Sequence, residues 1–244
     1  MIHIGRAFTL FLVAGVSLKP ADTPSAPVLV ELFTSEGCSS CPPADRLLET
    51  LDRNPNVIVL SEHVDYWNQL GWRDPYSSAA ASQRQSEYAR KFRLGSVYTP
   101  QMVVDGSSQA IGSESGVINR EIAKAGNFAK VSLEVSEVSR EGNKVHLRVR
   151  FAQVKANVSL YVALADDTAR SEVSRGENSG RTLGHVAVVR KLAAVGTVDA
   201  QHDFDKQITV PLGWEPKAGV RVVAFLEDRA SGAILGATRY PGLF

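Results

Sequence analysis

Apolar positions change rhythm near residue 130 of this chain. Before that point, short and mainly apolar runs alternate with segments of helical period. Val28–Phe33 is a β-branched and aromatic run closed by Thr34, Ser35 and Gly37, which predicts a strand covered on both faces. Pro42 and Pro43 suit a first helical turn, where N–H groups lack partners, and Leu47, Leu48 and Leu51 share one side of a helix over 43–52. Asn54-Pro55-Asn56 turns the chain into a second, parallel strand at Val57–Leu60. Asp74-Pro75 reads as the N-cap and first-turn proline of a helix over 75–93, inserted before Met102–Val104, the Asp105-Gly106 turn and a return strand at Gln109–Ile111. Residues 114–125 give a last helix, ended by Gly126.

From Val131 onward the period is two. Val131, Leu133 and Val135 are followed by Val145, Leu147, Val149 and Phe151, then by Val158, Leu160, Val162 and Leu164. Further runs at 183–192, 204–211, 220–227 and 233–239 complete a set of strands suited to an antiparallel sandwich. The expectation is an α/β domain at 27–127 followed by an all-β, sandwich-like domain at 130–244. Arg170–Arg181 is a long polar connection, whose Glu177, Asn178 and Arg181 either stay solvated, reach over the two cysteines or bind a partner.

Charge narrows the field of partners. With 27 basic and 26 acidic residues in 244 and no long runs of either sign, the chain lacks a footprint for nucleic acid or an anionic membrane. Arg6 and the mainly apolar Ala7–Leu18 read as an export signal, with residues 1–26 as signal and lead-in; a buried N-terminal helix is the alternative. The run falls short of the roughly 20 residues that span a bilayer, so the membrane is met only in transit, and the protein is expected in the periplasm or outside the cell.

Only two cysteines are present, in Cys38-Ser39-Ser40-Cys41, where the first strand gives way to a helix. A helix start offers unpaired N–H donors and the positive end of the helix dipole, which favour a thiolate, so Cys38 is the expected nucleophile and Cys41 the resolving thiol. As a structural staple the pair is weak: so short a loop contributes roughly 2 kcal/mol, against about 4.7 for a loop of about 100 residues. A metal reading, such as a copper carrier using Cys38, Cys41 and His63, suits soft ligands but lacks a second ligand pair. A non-catalytic binding module is the other alternative. His63 and Asp65 follow the second strand and are expected on the same edge as Cys38, for proton handling or substrate contact, or else as loop-bonding groups beside a Tyr66, Trp67 and Trp72 cluster. Glu31 interrupts an apolar strand, where a carboxylate is costly unless paired or protonated.

These residues resemble the thioredoxin-like superfamily, in which a strand bearing an acid leads to a C-x-x-C at a helix start. Glu31 stands in the acid's place, although thioredoxin has an aspartate one residue nearer and an aromatic residue where this chain has Gly37. A closer resemblance is to an uncharacterised family of secreted thioredoxin-like proteins, a domain of unknown function, through F-T-S-E-G-C-S-S-C-P-P-A-D at 33–45, H-V-D-Y-W at 63–67 and Y-T-P-Q-M-V-V-D-G at 98–106. The resemblance implies a thioredoxin-like fold for 27–127. It also implies thiol–disulfide exchange with a protein or peptide substrate and a redox partner, Glu31 as proton acceptor, and a cis Pro100 facing the dithiol while Thr99 pairs with substrate. No organic cofactor or metal enters that chemistry.

Overall fold

The computed structural model describes residues 1, 27–198, 202–217 and 219–242, so the expected export signal lies outside the described residues apart from Met1. Among them no helix is long and apolar enough to cross a membrane.

Strand β1 (Val28–Thr34) is buried along its whole length because both of its faces are covered. Val28, Val30 and Leu32 pack against Leu48 and Leu51 of helix α1 (Pro42–Asp52), while Leu29 and Phe33 point the other way. Strand β2 (Val57–His63) lies parallel to β1 in the register Val28↔Val57 through Thr34↔His63, and it too is wholly buried. On the other side of β1, β3 (Gln101–Val104) runs antiparallel and turns through Asp105 and Gly106 into β4 (Ser108–Ile111). Helix α2 (Ala79–Lys91) packs near β2, and α3 (Ser115–Ala125) closes the first half. Helix α2 starts later than Asp74-Pro75 predicts. Ser78 caps it by accepting from the Ala81 N–H at 3.1 Å, whereas the Asp74 carboxylate is taken by the N–H groups of Glu36 and Tyr76.

The second half departs from the expected architecture. Strand β5 (Leu133–Glu141), β6 (Lys144–Phe151) and β9 (Phe204–Pro211) form a separate three-stranded sheet. The remaining strands, β7 (Val158–Glu172), β8 (Thr182–Val198), β10 (Val220–Asp228) and β11 (Ile234–Arg239), instead extend the first sheet. The result is one eight-stranded mixed sheet in the order β11-β10-β7-β8-β2-β1-β3-β4, with β8 joined to β2 in parallel at Ser61↔Val188. A thioredoxin-like domain followed by an independent sandwich is therefore not the fold: this is a mostly β protein whose large sheet crosses the expected boundary.

The reason lies in burial on two faces. Alternating Val162 and Leu164 of β7 and Val222 and Ala224 of β10 face the three-stranded sheet. Their neighbours Ala163, Ala165, Val223 and Phe225 join Leu29, Ile58 and Leu60 of the first half in a single core cluster. Period-two alternation reports that one face is apolar, but it does not reveal that small residues between are also covered. The β3–β4 turn meets the β10–β11 turn. A Cβ on Gly106, in the β3–β4 turn at φ 59°, would lie 2.2 Å from the Gly232 carbonyl, and Ile234 donates to the Asp105 carbonyl at 2.9 Å.

A chain ended at Phe128 would open Leu29, Ile58 and Leu60 to water. At about 2 kcal/mol each the loss is about 6 kcal/mol, comparable to a whole domain's stability. Such a chain is expected to show no cooperative thermal transition by near-ultraviolet circular dichroism. A sharp transition would mean that the β half is an accessory.

Candidate functional site

The site begins where β1 stops. After Thr34 the backbone folds tightly, with Cys38 donating to the Ser35 carbonyl at 3.1 Å and Cys41 to the Cys38 carbonyl at 3.2 Å. Gly37 fits closely here, where a Cβ would stand 3.1 Å from the Trp67 Cβ. Cys41 is already in helical conformation as the N-cap of α1, and its carbonyl accepts from Ala44 and Asp45. Cys38 and Cys41 are joined as a disulfide with Cα atoms 5.4 Å apart, at the helix start that the sequence predicts.

Both cysteines are fully buried, in contrast to the solvent-facing nucleophile that a helix start suggests. The cover comes from the tip of the β7–β8 hairpin. Asn178, itself at 0% exposure, donates from Nδ2 to the carbonyls of Glu36 and Cys38, both at 2.9 Å. Glu177 accepts from the Ser39 N–H at 3.0 Å, and Arg181 holds the Asn178 side chain through Oδ1 at 3.0 Å. Gly176 packs on Trp72, where a Cβ would meet the Trp72 Cβ at 3.2 Å. The long polar connection is thus folded over the dithiol.

Thr99-Pro100 is cis, and Pro100 lies beside the first turn of α1: a Cβ on Gly112 would touch Leu32, Ala44 and Pro100 at 3.0, 3.1 and 3.2 Å. Thr99 Oγ1 accepts from Trp67 Nε1 at 2.8 Å, so Trp67 links Thr99 to Gly37. His63 is brought near but is engaged with Asp74, Nδ1 to Oδ2 at 2.7 Å, and stands edge-on to His185 with ring centres 4.6 Å apart. Asp65 is tied to Ser82 of α2 instead. Among the described residues no three His, Cys, Asp or Glu side chains stand together as metal ligands.

Glu31 is not at the dithiol. Strand alternation turns it to the face opposite α1, where Arg84 binds its two oxygens at 2.5 and 3.0 Å and the Tyr88 hydroxyl donates at 2.5 Å. Glu62 lies buried on that same face. Burial, reinforced by the nearby Glu31 charge and only partly offset by Arg84, pushes its carboxyl up to about 8.

A different acidic pair flanks the cysteines. Glu36 is fully buried and accepts from Trp72 Nε1 at 2.8 Å, while Asp45 accepts from Thr34 Oγ1 at 3.0 Å. Between them stands His185 of β8, with Nε2 3.3 Å from Glu36 Oε1 and Nδ1 3.7 Å from Asp45 Oδ1. Burial works against its charge, but the carboxylates of Asp45 and Glu36 prevail and raise the imidazolium to about 10. Burial also opposes ionisation of Asp74, yet His63 and the N–H groups of Glu36 and Tyr76 hold it down at about 2. Sequence reasoning assigned no role at the site to Glu36, Asp45 or His185, and read Asp74 only as a helix N-cap. A signal for His185 existed: it occupies an inward position between Leu183 and Ala187 in a period-two strand.

The chain belongs to the family described as "Protein of unknown function (DUF1223)", whose profile matches residues 29–227. The resemblance carried by the three motif stretches is met at that level, a domain of unknown function. The chain is similar to a crystal structure of a protein from Agrobacterium tumefaciens, at 28% identity and a TM-score of 0.67, over 88% of this chain and 94% of that one. It also shares its fold with HBP35 of Porphyromonas gingivalis, at 18% identity and a TM-score of 0.60, over 88% and 75% of the two chains. No curated protein matches the sequence.

Glu62 gives the site's surroundings a pH signature. Its folded-state value near 8 lies above the ordinary 4.5, so the native state holds a proton that the unfolded state gives up. Its contribution to stability therefore falls as pH rises from 4.5 to 8, by at most about 1.4 kcal/mol per pH unit. Glu62→Gln is expected to become more stable relative to wild type as pH rises through that window, read by urea denaturation. A constant difference between the two proteins would show that Glu62 is ionised throughout.

Proposed function

We propose that the chain is a thiol–disulfide oxidoreductase acting on protein or peptide thiols, with Cys38 as the attacking and Cys41 as the resolving sulfur. The observation that carries this reading is the joining of the chain's two cysteines at the start of α1. A loop that short adds little to stability, and the helix start favours a thiolate once the bond is reduced. The Thr99-Pro100 segment beside α1 is the surface proposed to position substrate. Because the disulfide is buried in the resting state, exchange requires the β7–β8 tip to swing off Cys38. The N-terminal apolar run supports export to the periplasm or beyond, where such a bond persists.

Two measurements test this. In reduced protein, Cys41→Ser is expected to accumulate mixed disulfides at Cys38, and Cys38→Ser far fewer. Failure of both variants to capture any thiol partner would remove the reading. Asn178→Ala removes the two hydrogen bonds that tie the tip to the Glu36 and Cys38 carbonyls, about 1 kcal/mol each, so the opened form should rise about 30-fold and reduction by dithiothreitol should quicken accordingly. An unchanged rate would show that the tip is not what guards the disulfide.

A further inference from the structure

The oxidoreductase reading leaves the proton of Cys41 without an acceptor, since Glu31 faces the opposite side of the sheet. We infer that Asp45 takes that proton, and that His185, supplied by β8 of the second half, is the positioning residue that holds Asp45 for the task through a shared salt bridge with Glu36. The inference rests on the oxidoreductase reading and identifies where its proton goes.

Helix geometry places Asp45 four residues beyond Cys41, so both lie on one face of α1, a single turn apart. Glu36 is the less available carboxylate, because Trp72 and His185 occupy its two oxygens. Asp45 faces Thr34 and His185 through Oδ1 alone. Around His185 stand Glu36 from the loop after β1, Asp45 from α1, His63 from β2 with Asp74 behind it, and Tyr76, whose ring centre is 5.9 Å away. His185 is only 5% exposed, but it forms part of the wall of a cleft of about 810 Å³ that Tyr76, Arg170, Arg190 and Trp214 also line.

The step balances as follows. After Cys38 has attacked a substrate disulfide, its sulfur is bonded to one substrate sulfur. The Asp45 carboxylate takes the proton from the Cys41 thiol, and the freed electron pair forms the Cys41–Cys38 bond. The bond from Cys38 to substrate breaks, its electron pair leaves on the substrate sulfur, and that thiolate is protonated by solvent. The protein dithiol is oxidised by two electrons and the substrate disulfide is reduced. With a neutral side chain at 185, two buried carboxyl groups would face each other without a cation, and burial would favour their protonated forms.

The test follows single turnovers of the reduced full-length protein with 5,5′-dithiobis(2-nitrobenzoate) between pH 5 and 8. The first release of thionitrobenzoate reports attack by Cys38, and the second reports resolution by Cys41. His185→Gln is expected to slow the second release more than the first and to move its acid limb upward, with about a tenfold loss at pH 6. Asp45→Asn, the second variant should His185→Gln not fold, is expected to slow resolution across the range and to abolish the acid limb. A wild-type pH profile in His185→Gln, or a retained acid limb in Asp45→Asn, overturns the inference while leaving the oxidoreductase reading standing. Absence of a second release in the wild type overturns both.

Discussion

The parallel pairing of β2 with β8 at Ser61 and Val188 is the contact on which the rest of this structure depends. Through it, strands more than a hundred residues apart in sequence become neighbours, and an antiparallel β assembly becomes the continuation of a βαβ sheet. It brings the β7–β8 hairpin to the carboxyl edge of β1 and β2, where the chain turns into α1. The tip then reaches Cys38, and His185 reaches the space between Glu36 and Asp45. Neither half contains the complete surroundings of the disulfide.

The sheet also separates two buried polar clusters that differ in purpose. On the α2 face, Arg84 is held by Glu31, Tyr88 and Glu227, and it joins helix to β10 across the shared core. One partner removed from such a network leaves an uncompensated buried charge, so the loss of any one member is costly. On the α1 face, two carboxylates share one imidazolium within the same loop-and-helix segment as the cysteines. Opposite faces of the sheet thus carry a buried charge network and the acidic pair to which we assign proton transfer.

Much of the first half was legible in the sequence because its signals are local. Val28–Phe33, the prolines before Leu47 and Leu48, Val57–Leu60 and the Asp105-Gly106 turn each fix an element within a few residues. The position of the cysteines at a helix start follows from them. The join to β8 was not legible, because parallel pairing at long range leaves no local mark, and small residues such as Ala163 and Ala165 do not advertise a second buried face. The side taken by Glu31 was available by parity, since Val30 and Leu32 must meet the leucines of α1 and the residue between them must point away. The helix start at Ser78 was masked by Asp74, whose carboxylate serves Glu36 and His63 across the site instead of its own helix.

Because Asn178 is anchored through both β7 and β8, it acts as a built-in rival for the carbonyls of Glu36 and Cys38. A tethered rival competes at an effective concentration that a free small molecule rarely matches. Dissolved thiols and peroxides meet an insulated sulfur pair, whereas a polypeptide able to supply its own amide donors to those two carbonyls can take the place of the tip. In the proposed exchange reaction, the covered disulfide is a filter that selects partners by backbone recognition before any electron moves.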